Sequence, residues 1–318
     1  MMLLDKSSLL AECRLCPRDC GADRLHGKGF CGGGENALVA KVSLHPWEEP
    51  VIAGGSGSAG AGTVFFSGCN LRCVFCQNYQ ISHEERGQAV TDEELGEIFL
   101  GQQAAGAATL DLVTPTHYIP QIINGIFYGK KKGFSLPVVY NSSGYEKTAA
   151  LELLKGQADV FLPDLKYYDE GLAQSYSQAG DYFAVASRAI EKMVELAGPP
   201  VLNQAGVMVS GVLVRHMVLP GSRRDSMKLL EWLWHSFGDD IYVSLMSQYT
   251  PMYRAGEFRQ LRRRLTTFEY ESVVDCAAAL GFSRCFVQER ASASQVYVPD
   301  WQESGLQREK IIVLGEFS

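Results

Sequence analysis

From residue 63 onward, short apolar runs alternate with longer amphipathic stretches. The short runs are rich in β-branched residues and predict strands, whereas the longer stretches have apolar residues at helical spacing. The predicted strands are 63–67, 109–114, 137–142, 160–166, 212–219 and 241–246. The predicted helices are 92–105, 119–131, 147–154, 182–196, 222–234 and 268–280, and a short apolar run follows at 285–288.

This alternation predicts an α/β fold built from parallel βα units. The run 211–214 is almost wholly apolar, as expected for a strand buried on both faces. Six units predict a partial (β/α)6 TIM-like barrel with a small N-terminal cysteine-rich segment. The predicted division is 1–60 for the cysteine-rich segment, 61–290 for the partial barrel and 291–318 for a C-terminal tail. Residues 1 to about 50 are predicted to be irregular.

Composition and charge exclude several classes of protein. The chain has 318 residues, 46% of them hydrophobic, so it is expected to fold around a core. Its 29 basic and 36 acidic residues give a net charge of -7, which predicts no nucleic-acid partner. No run of about 18 apolar residues occurs and the N-terminus does not resemble a signal peptide, so we expect no membrane association and a cytoplasmic location.

Nine cysteines form three groups along the chain, at 13–31, at 69–76 and at 276–285. A disulfide scaffold is typical of short secreted chains, and this chain is not short. In a reducing compartment, clustered thiols indicate metal or cluster ligands. Cys276 and Cys285 stand apart from the clusters and are predicted to be small core residues.

The sequence Cys69-x3-Cys73-x2-Cys76 is the strongest chemical signal. It directly follows the first predicted strand of the barrel, at the end where βα barrels gather their chemistry. Thiolates at this spacing bind zinc or an iron–sulfur cluster. Three thiolates on a four-iron cluster would leave one iron open for catalysis. The alternative is a structural metal site closed by a distant residue.

These three cysteines, with Phe75 just before the third, resemble the radical S-adenosylmethionine (SAM) signature. The flanking residues 65–71 and 77–78 are similar to the branch related to pyruvate formate-lyase activating enzyme. The resemblance implies a [4Fe-4S] cluster on Cys69, Cys73 and Cys76 whose open iron binds SAM. It further implies an anaerobic oxidoreductase in which one electron cleaves SAM reductively to methionine and a 5′-deoxyadenosyl radical, which abstracts a hydrogen atom from the substrate.

The same resemblance implies further cofactor-binding residues. Many members carry Gly-Gly-Glu after the second strand, where this chain has residues 114–117 and no acid. The SAM amino group would then be held by backbone carbonyls or by Thr116, or His117 would take part, and the alternative for 114–117 is a turn that starts a helix. The third strand ends in a polar turn beside SAM. The candidates are Phe75, Thr116, Asn141 and Ser142.

Charged residues end two other predicted strands. Asp164 and Lys166 are two residues apart and so share one face, and the resemblance implies contact with the SAM carboxylate and with a monovalent cation at Asp164. Arg215 interrupts an apolar strand, which predicts a buried guanidinium facing an anion, either the SAM carboxylate, which would make Arg215 a cofactor-binding residue, or another carboxylate. The alternatives are a solvated charge pair for Asp164 and Lys166 and a packed or surface histidine for His216.

The N-terminal cysteines Cys13, Cys16, Cys20 and Cys31 form a second set of four soft ligands. Four thiolates predict either a zinc site or a second iron–sulfur cluster, and the alternative is a flexible arm with reduced thiols. Paired acids at 48–49 follow an aromatic residue. They are predicted either to contact substrate or to lie in a solvated turn.

Three functions are weighed. The first is a radical SAM enzyme related to proteins that activate glycyl-radical enzymes, with a protein or peptide substrate and an electron donor such as flavodoxin or ferredoxin. The second is a radical SAM enzyme acting on another peptide or a small molecule. The third is a non-catalytic iron–sulfur or zinc protein, which would not cleave SAM.

Overall fold

The structure is a computed structural model that describes residues 3–55, 57–84, 86–288 and 301. Ten strands are present within these residues. They are β1 (Ala37–His45), β2 (Ala61–Phe66), β3 (Gln88–Val90), β4 (Leu110–Val113), β5 (Val138–Ser142), β6 (Val160–Pro163), β7 (Val201–Leu202), β8 (Met208–Met217), β9 (Tyr242–Met246) and β10 (Cys285–Val287).

Ten α-helices connect or flank the strands in the described ranges. They are α1 (Ser7–Ala11), α2 (Pro50–Ala53), α3 (Tyr79–Ser82), α4 (Asp92–Ala104), α5 (Ile119–Lys131), α6 (Thr148–Glu152), α7 (Glu170–Ser177), α8 (Tyr182–Ala197), α9 (Arg223–Phe237) and α10 (Thr267–Leu280). Two 3-10 turns occur at Thr116–Tyr118 and Ala255–Glu257.

The sheet has the strand order β10-β9-β8-β6-β5-β4-β2-β1-β3. All pairings from β2 through β10 along this path are parallel. The strands β1 and β3 extend the sheet beyond β2 in antiparallel pairs. No pairing joins β3 to β10 in the described part of the chain, so the sheet is open. The predicted α/β fold with an unclosed, mostly parallel barrel is confirmed.

Helix ends follow local sequence chemistry. Thr91 caps α4 by accepting from the backbone N–H of Glu94, whose carboxylate accepts from the Thr91 N–H in return. This capping box satisfies two of the helix's otherwise unpaired donors. Gly281 ends α10 at a φ of +99°, a conformation that glycine adopts without steric cost. These ends lie close to the predicted ones because their signals are local.

One region predicted to be irregular and one region without a predicted element contain ordered elements. The prediction for residues 1–50 is wrong at β1, a nine-residue strand that pairs with both β2 and β3. Its sides are unevenly buried, so its sequence lacks the strict alternation that marks a strand. The helix α7 was also not predicted. Of the predicted tail 291–318, only Trp301 lies within the described residues, and its ring centroid is 5.3 Å from that of Phe65.

The inward face of the barrel changes character along its length. In the barrel interior, Val139, Leu162 and Leu213 form one buried apolar layer with Ile52 of α2, which closes the barrel floor. Two residues further along β5 and β8, the same faces carry Asn141 and Arg215. The interior is therefore apolar below and polar at the carboxyl ends of the strands.

No helix among the described residues combines the length and apolar character needed to cross a bilayer.

Candidate active site

A cavity of about 580 Å³ lies at the carboxyl ends of the parallel strands. This is the position at which α/β barrels bind their ligands, and the volume suits a cofactor-sized molecule. The cavity wall includes eleven of the residues considered in the sequence: Glu48, Glu49, Cys69, Cys73, Phe75, Cys76, Asn141, Ser142, Asp164, Lys166 and Arg215. Tertiary structure thus brings together around one cavity side chains that are spread over 168 residues of sequence.

The cysteine triplet lies on the loop that follows β2. The loop turns at Gly68, whose φ is +85° and where a Cβ would overlap the carbonyl oxygen of Cys31. Only glycine satisfies both the conformation and the close approach. The Cys69 N–H donates to the Cys31 carbonyl at 3.1 Å, so the N-terminal segment contacts this loop directly.

Each sulfur of the triplet has a polar neighbour. The Leu71 N–H donates to Cys69 Sγ at 3.3 Å, and the Ser177 hydroxyl lies 3.0 Å from Cys73 Sγ. The Ser82 hydroxyl lies 3.3 Å from Cys76 Sγ. Burial raises the pKa of Cys69 to about 12 and that of Cys76 to about 11, and also raises the pKa of Cys73. The thiols are therefore protonated at neutral pH, and metal binding would release their protons.

The donor set of the triplet fits an iron–sulfur cluster. Cys69, Cys73 and Cys76 are soft ligands that face one enclosed cavity. Among the residues that the structure describes, no three Cys, His, Asp or Glu side chains converge closely enough to hold a single metal ion. A cluster distributes its ligands over separate irons, so it does not require its thiolates to meet at one point.

Asp164 and Lys166 form an ion pair beside the triplet. Lys166 Nζ donates to Asp164 Oδ2 at 2.5 Å, and both side chains line the cavity. Burial acts to lower the pKa of Lys166, but Asp164 and Cys73 act to raise it, and the net direction is upward. The ammonium therefore remains charged and available to a carboxylate in the cavity.

Arg215 lies on the cavity wall and binds the paired acids of the N-terminal segment. Its Nε donates to Glu49 Oε1 at 3.0 Å and its Nη2 to Glu49 Oε2 at 2.5 Å. Its Nη2 also donates to Glu48. The Glu48 and Glu49 side chains are only 9% and 10% exposed, so the alternative of a solvated turn is wrong. The carboxylate expected to face Arg215 is supplied by the chain itself.

The end of β4 differs from the expected arrangement. Thr114 lines the cavity with a φ of +59°, which is uncommon for a β-branched residue. Thr116 is fully buried in the following 3-10 turn and donates to Glu146 at 2.6 Å. It is not among the cavity-lining residues described, because the turn directs it toward β5. Thr116 is therefore not brought together with the other candidate cofactor contacts.

The remaining candidates have structural contacts. Phe75 packs edge to face on Tyr249, whose hydroxyl donates to the Leu261 carbonyl. His216 is buried and lies 2.8 Å from the Ser226 hydroxyl, which agrees with a packed histidine. Cys276 and Cys285 pack at the edge of the main core, as predicted for small core residues.

Asp111 is a buried acid that the sequence interpretation missed. It lies on the inward face of β4, where Asn141 donates to its Oδ2 at 3.2 Å and its Oδ1 has no partner among the described residues. Burial raises its pKa to about 7. The signal that could have found it is the one used for Arg215, a single charge within an apolar strand.

Replacing Asp111 with asparagine is expected to stabilise the protein at pH 8. The folded-state pKa of Asp111 lies above its unfolded value of about 3.9, so the wild type loses stability as pH rises between these values, by at most about 1.4 kcal/mol per pH unit. The amide does not ionise, so the variant should gain roughly 1–3 kcal/mol over the wild type between pH 5 and pH 8. Urea unfolding at both pH values measures this, with the exposed Asp240→Asn as control. Identical pH dependence in D111N and the wild type would contradict the prediction.

Comparison with known proteins agrees with this geometry. The Radical SAM superfamily profile matches residues 63–233, which is more than half of the chain. An uncharacterized protein of Methanocaldococcus jannaschii, MJ0674, is 28% identical over 280 residues, covering 85% of this chain and 75% of that protein. A second uncharacterized protein of the same organism, MJ0808, is 24% identical over 173 residues, covering 47% of this chain and 51% of that protein.

Two solved structures are also similar. Streptococcus suis SuiB bound to precursor peptide SuiA matches with a TM-score of 0.45 and 14% identity, over 70% of this chain and 46% of SuiB. Native anSMEcpe with bound AdoMet and Kp18Cys peptide matches with a TM-score of 0.48 and 14% identity, over 70% and 60% of the two chains. This chain thus spans about half the length of SuiB.

An open parallel barrel with a Cys-x3-Cys-x2-Cys loop after its first parallel strand defines the class of radical SAM enzymes. With more than half of its length matched by the family profile, this chain belongs to the radical SAM superfamily. Membership implies a [4Fe-4S] cluster and SAM as its cofactors.

Proposed function

We propose that this protein reductively cleaves SAM and directs the resulting 5′-deoxyadenosyl radical to a protein or peptide substrate. The observation that carries the proposal is the common cavity of the three triplet thiols and the Asp164–Lys166 pair. Soft ligands for a cluster and a cation for the SAM carboxylate face the same space. A zinc or iron–sulfur scaffold would not need an enclosed cavity beside its ligands.

Each of the cavity-lining residues has a separate role in this proposal. Cys69, Cys73 and Cys76 would hold the cluster, which supplies one electron to SAM when bound. Lys166 offers its ammonium to the SAM carboxylate, and Asp164 keeps that ammonium charged and oriented. Asp164 is also the carboxylate for a monovalent cation, as the resemblance implies.

Side chains around the cavity would exclude water and orient the bound cofactor. Phe75 lines the cavity and packs edge to face on Tyr249, and the apolar layer that packs with Ile52 lies below the cavity. Arg215 fixes the loop that carries Glu48 and Glu49 against the barrel wall. These groups are in place before any ligand arrives, so little reorganisation is required on binding.

A macromolecular substrate is supported by the resemblance of residues 65–78 to the activating-enzyme branch and by the form of the cavity. Trp47 lines the cavity and is 68% exposed, so the cavity opens to solvent beside an aromatic side chain. A polypeptide segment could enter there. The electron would come from a small redox protein such as flavodoxin or ferredoxin.

Anaerobic reconstitution with iron and sulfide, followed by dithionite and SAM, tests the proposed chemistry. We expect 5′-deoxyadenosine and methionine in equal amounts. Failure to form 5′-deoxyadenosine in a preparation with a full cluster would favour the scaffold function instead.

The substrate class is tested with deuterium-labelled cell extracts that have been separated into macromolecular and small-molecule fractions. We expect the enzyme to transfer deuterium into 5′-deoxyadenosine when it is given the macromolecular fraction. Transfer from the small-molecule fraction alone would favour the small-molecule alternative.

A further inference from the structure

A buried arginine lies among the N-terminal cysteines without an acidic partner. Arg24 is 0% exposed, and its guanidinium donates to the carbonyls of Gly33 at 3.0 Å, Gly34 at 2.9 Å and His117 at 2.6 Å. Its Nη1 also lies 3.5 Å from Cys13 Sγ. No carboxylate among the described residues lies within ion-pair distance of this guanidinium.

A guanidinium remains protonated in proteins, and a buried charge without a counter-charge is strongly destabilising. Carbonyl dipoles hydrogen-bond the group but do not neutralise it. We therefore expect an anion beside the buried Arg24 guanidinium. The nearby groups that can supply one are cysteine sulfurs, because Cys13 Sγ contacts the guanidinium and Cys31 Sγ accepts the Gly33 N–H at 3.4 Å.

The four N-terminal cysteines are folded toward one another by short-range contacts. The Cys13 N–H donates to the Ala22 carbonyl at 2.9 Å, which folds residues 13–22 back on themselves. A Cβ added at Gly29 would lie 3.5 Å from Cys31 Sγ and 3.6 Å from Cys20 Sγ, so these sulfurs flank one glycine. Cys16 is buried in the same segment, whereas Cys20 is exposed.

We propose that Cys13, Cys16, Cys20 and Cys31 bind a second iron–sulfur cluster as thiolates, with Arg24 as the positioning residue that balances its charge. Four thiolates suit such a cluster because it spreads its ligands over separate irons, whereas the described side chains do not converge on one point that would hold a single metal ion. Binding releases the four thiol protons to solvent. Four thiolates around a dication carry a net charge of -2, and the Arg24 guanidinium offsets half of it.

The same segment supports the loop of the triplet. The Cys31 carbonyl accepts from the Cys69 N–H at 3.1 Å, and Arg18 Nε donates to the Asn70 carbonyl at 2.7 Å. The Arg72 guanidinium donates to the Phe30 carbonyl. A metal that fixes Cys31 therefore also fixes the first cysteine of the triplet.

The direct test is the metal content of a full-length chain without the triplet. The variant Cys69→Ala, Cys73→Ala, Cys76→Ala is prepared once anaerobically with iron and sulfide and once with zinc. We expect about four irons per chain to remain in the first preparation. Adding Cys20→Ser, at the exposed ligand, should remove this iron, whereas adding Cys276→Ser as a control should not. A folded triplet variant, judged by circular dichroism, that binds no iron, or that binds zinc in its place, would overturn the proposal.

Two variants isolate the charge of Arg24. In Arg24→Met the apparent metal affinity in chelator competition should fall roughly 10–100-fold, the usual effect of removing a group that supports the ligands. Arg24→Lys keeps the charge and should stay within a few-fold of the wild type. Equal affinities in Arg24→Met and the wild type would contradict the role of Arg24. The proposal does not rest on the proposed function, because these measurements need neither SAM nor turnover.

Discussion

Replacing Cys73 with alanine is expected to abolish SAM cleavage. Cys73 is the middle cysteine of the triplet, the Ser177 hydroxyl lies 3.0 Å from its sulfur, and the charged Lys166 side chain favours its thiolate form. Losing a ligand should lower the rate by more than about 100-fold, since even losing groups behind a ligand costs roughly 10–100-fold. The measurement is 5′-deoxyadenosine formed per chain after anaerobic reconstitution and reduction.

The matched control is Cys276→Ala, which removes a thiol that only packs at the core edge. It should keep the wild-type rate of cleavage and the wild-type iron content. In Cys73→Ala the bound iron should fall only in part if the N-terminal cysteines also hold a cluster. Full iron together with full SAM cleavage in Cys73→Ala would contradict the assignment of the triplet.

Replacing Arg215 with methionine is expected to lower the free energy of unfolding by roughly 3–5 kcal/mol at pH 7. Methionine keeps much of the volume but removes the guanidinium that pairs with both Glu48 and Glu49. The other base nearby, His45, lies 3.9 Å from Glu48, and burial lowers the pKa of its imidazole, so it does not replace the lost charge at pH 7. Both carboxylates are then buried without a counter-charge, and burial already raises the pKa of Glu49. Urea unfolding followed by circular dichroism measures the loss.

The pH dependence separates a charge effect from a packing effect. Burial raises the pKa of Glu49 above its unfolded value of about 4.3, and removing the Arg215 guanidinium should raise it further. A buried acid is neutral and tolerated below that unfolded value, so the loss in Arg215→Met should be small at pH 4 and grow as pH rises toward 7. Adding Glu48→Gln and Glu49→Gln should restore most of the stability. A loss that is equal at pH 4 and pH 7 would point to packing alone.

Much of the helical part of the fold could be predicted because its signals are local. The predicted helix 119–131 has the bounds of the observed α5, where Pro120 stands in the first turn and lysines end the helix. The capped start of α4 was likewise predictable from Thr91 and Glu94. The strand β1 was not, because its neighbours lie elsewhere in the chain and its burial does not alternate.

The residues of the candidate site likewise include some that local sequence could identify and some that it could not. The cysteine triplet could be found from spacing alone, because all three ligands lie within eight residues. The partners of Arg215 could not, because Glu48 and Glu49 are more than 160 residues away and their burial is created by folding. Thr116 was chosen by position along the chain, and the 3-10 turn after β4 directs it to Glu146 instead.

The sequence by itself therefore determined the α/β class, the order of most elements and the position of the cysteine triplet, because periodicity and ligand spacing are properties of neighbouring residues. Only the tertiary structure decided which charges meet in the cavity, that the N-terminal segment closes the barrel floor, and that Arg24 is buried beside Cys13. Those features depend on contacts between distant residues, and burial and electrostatic partners exist only once the chain has folded.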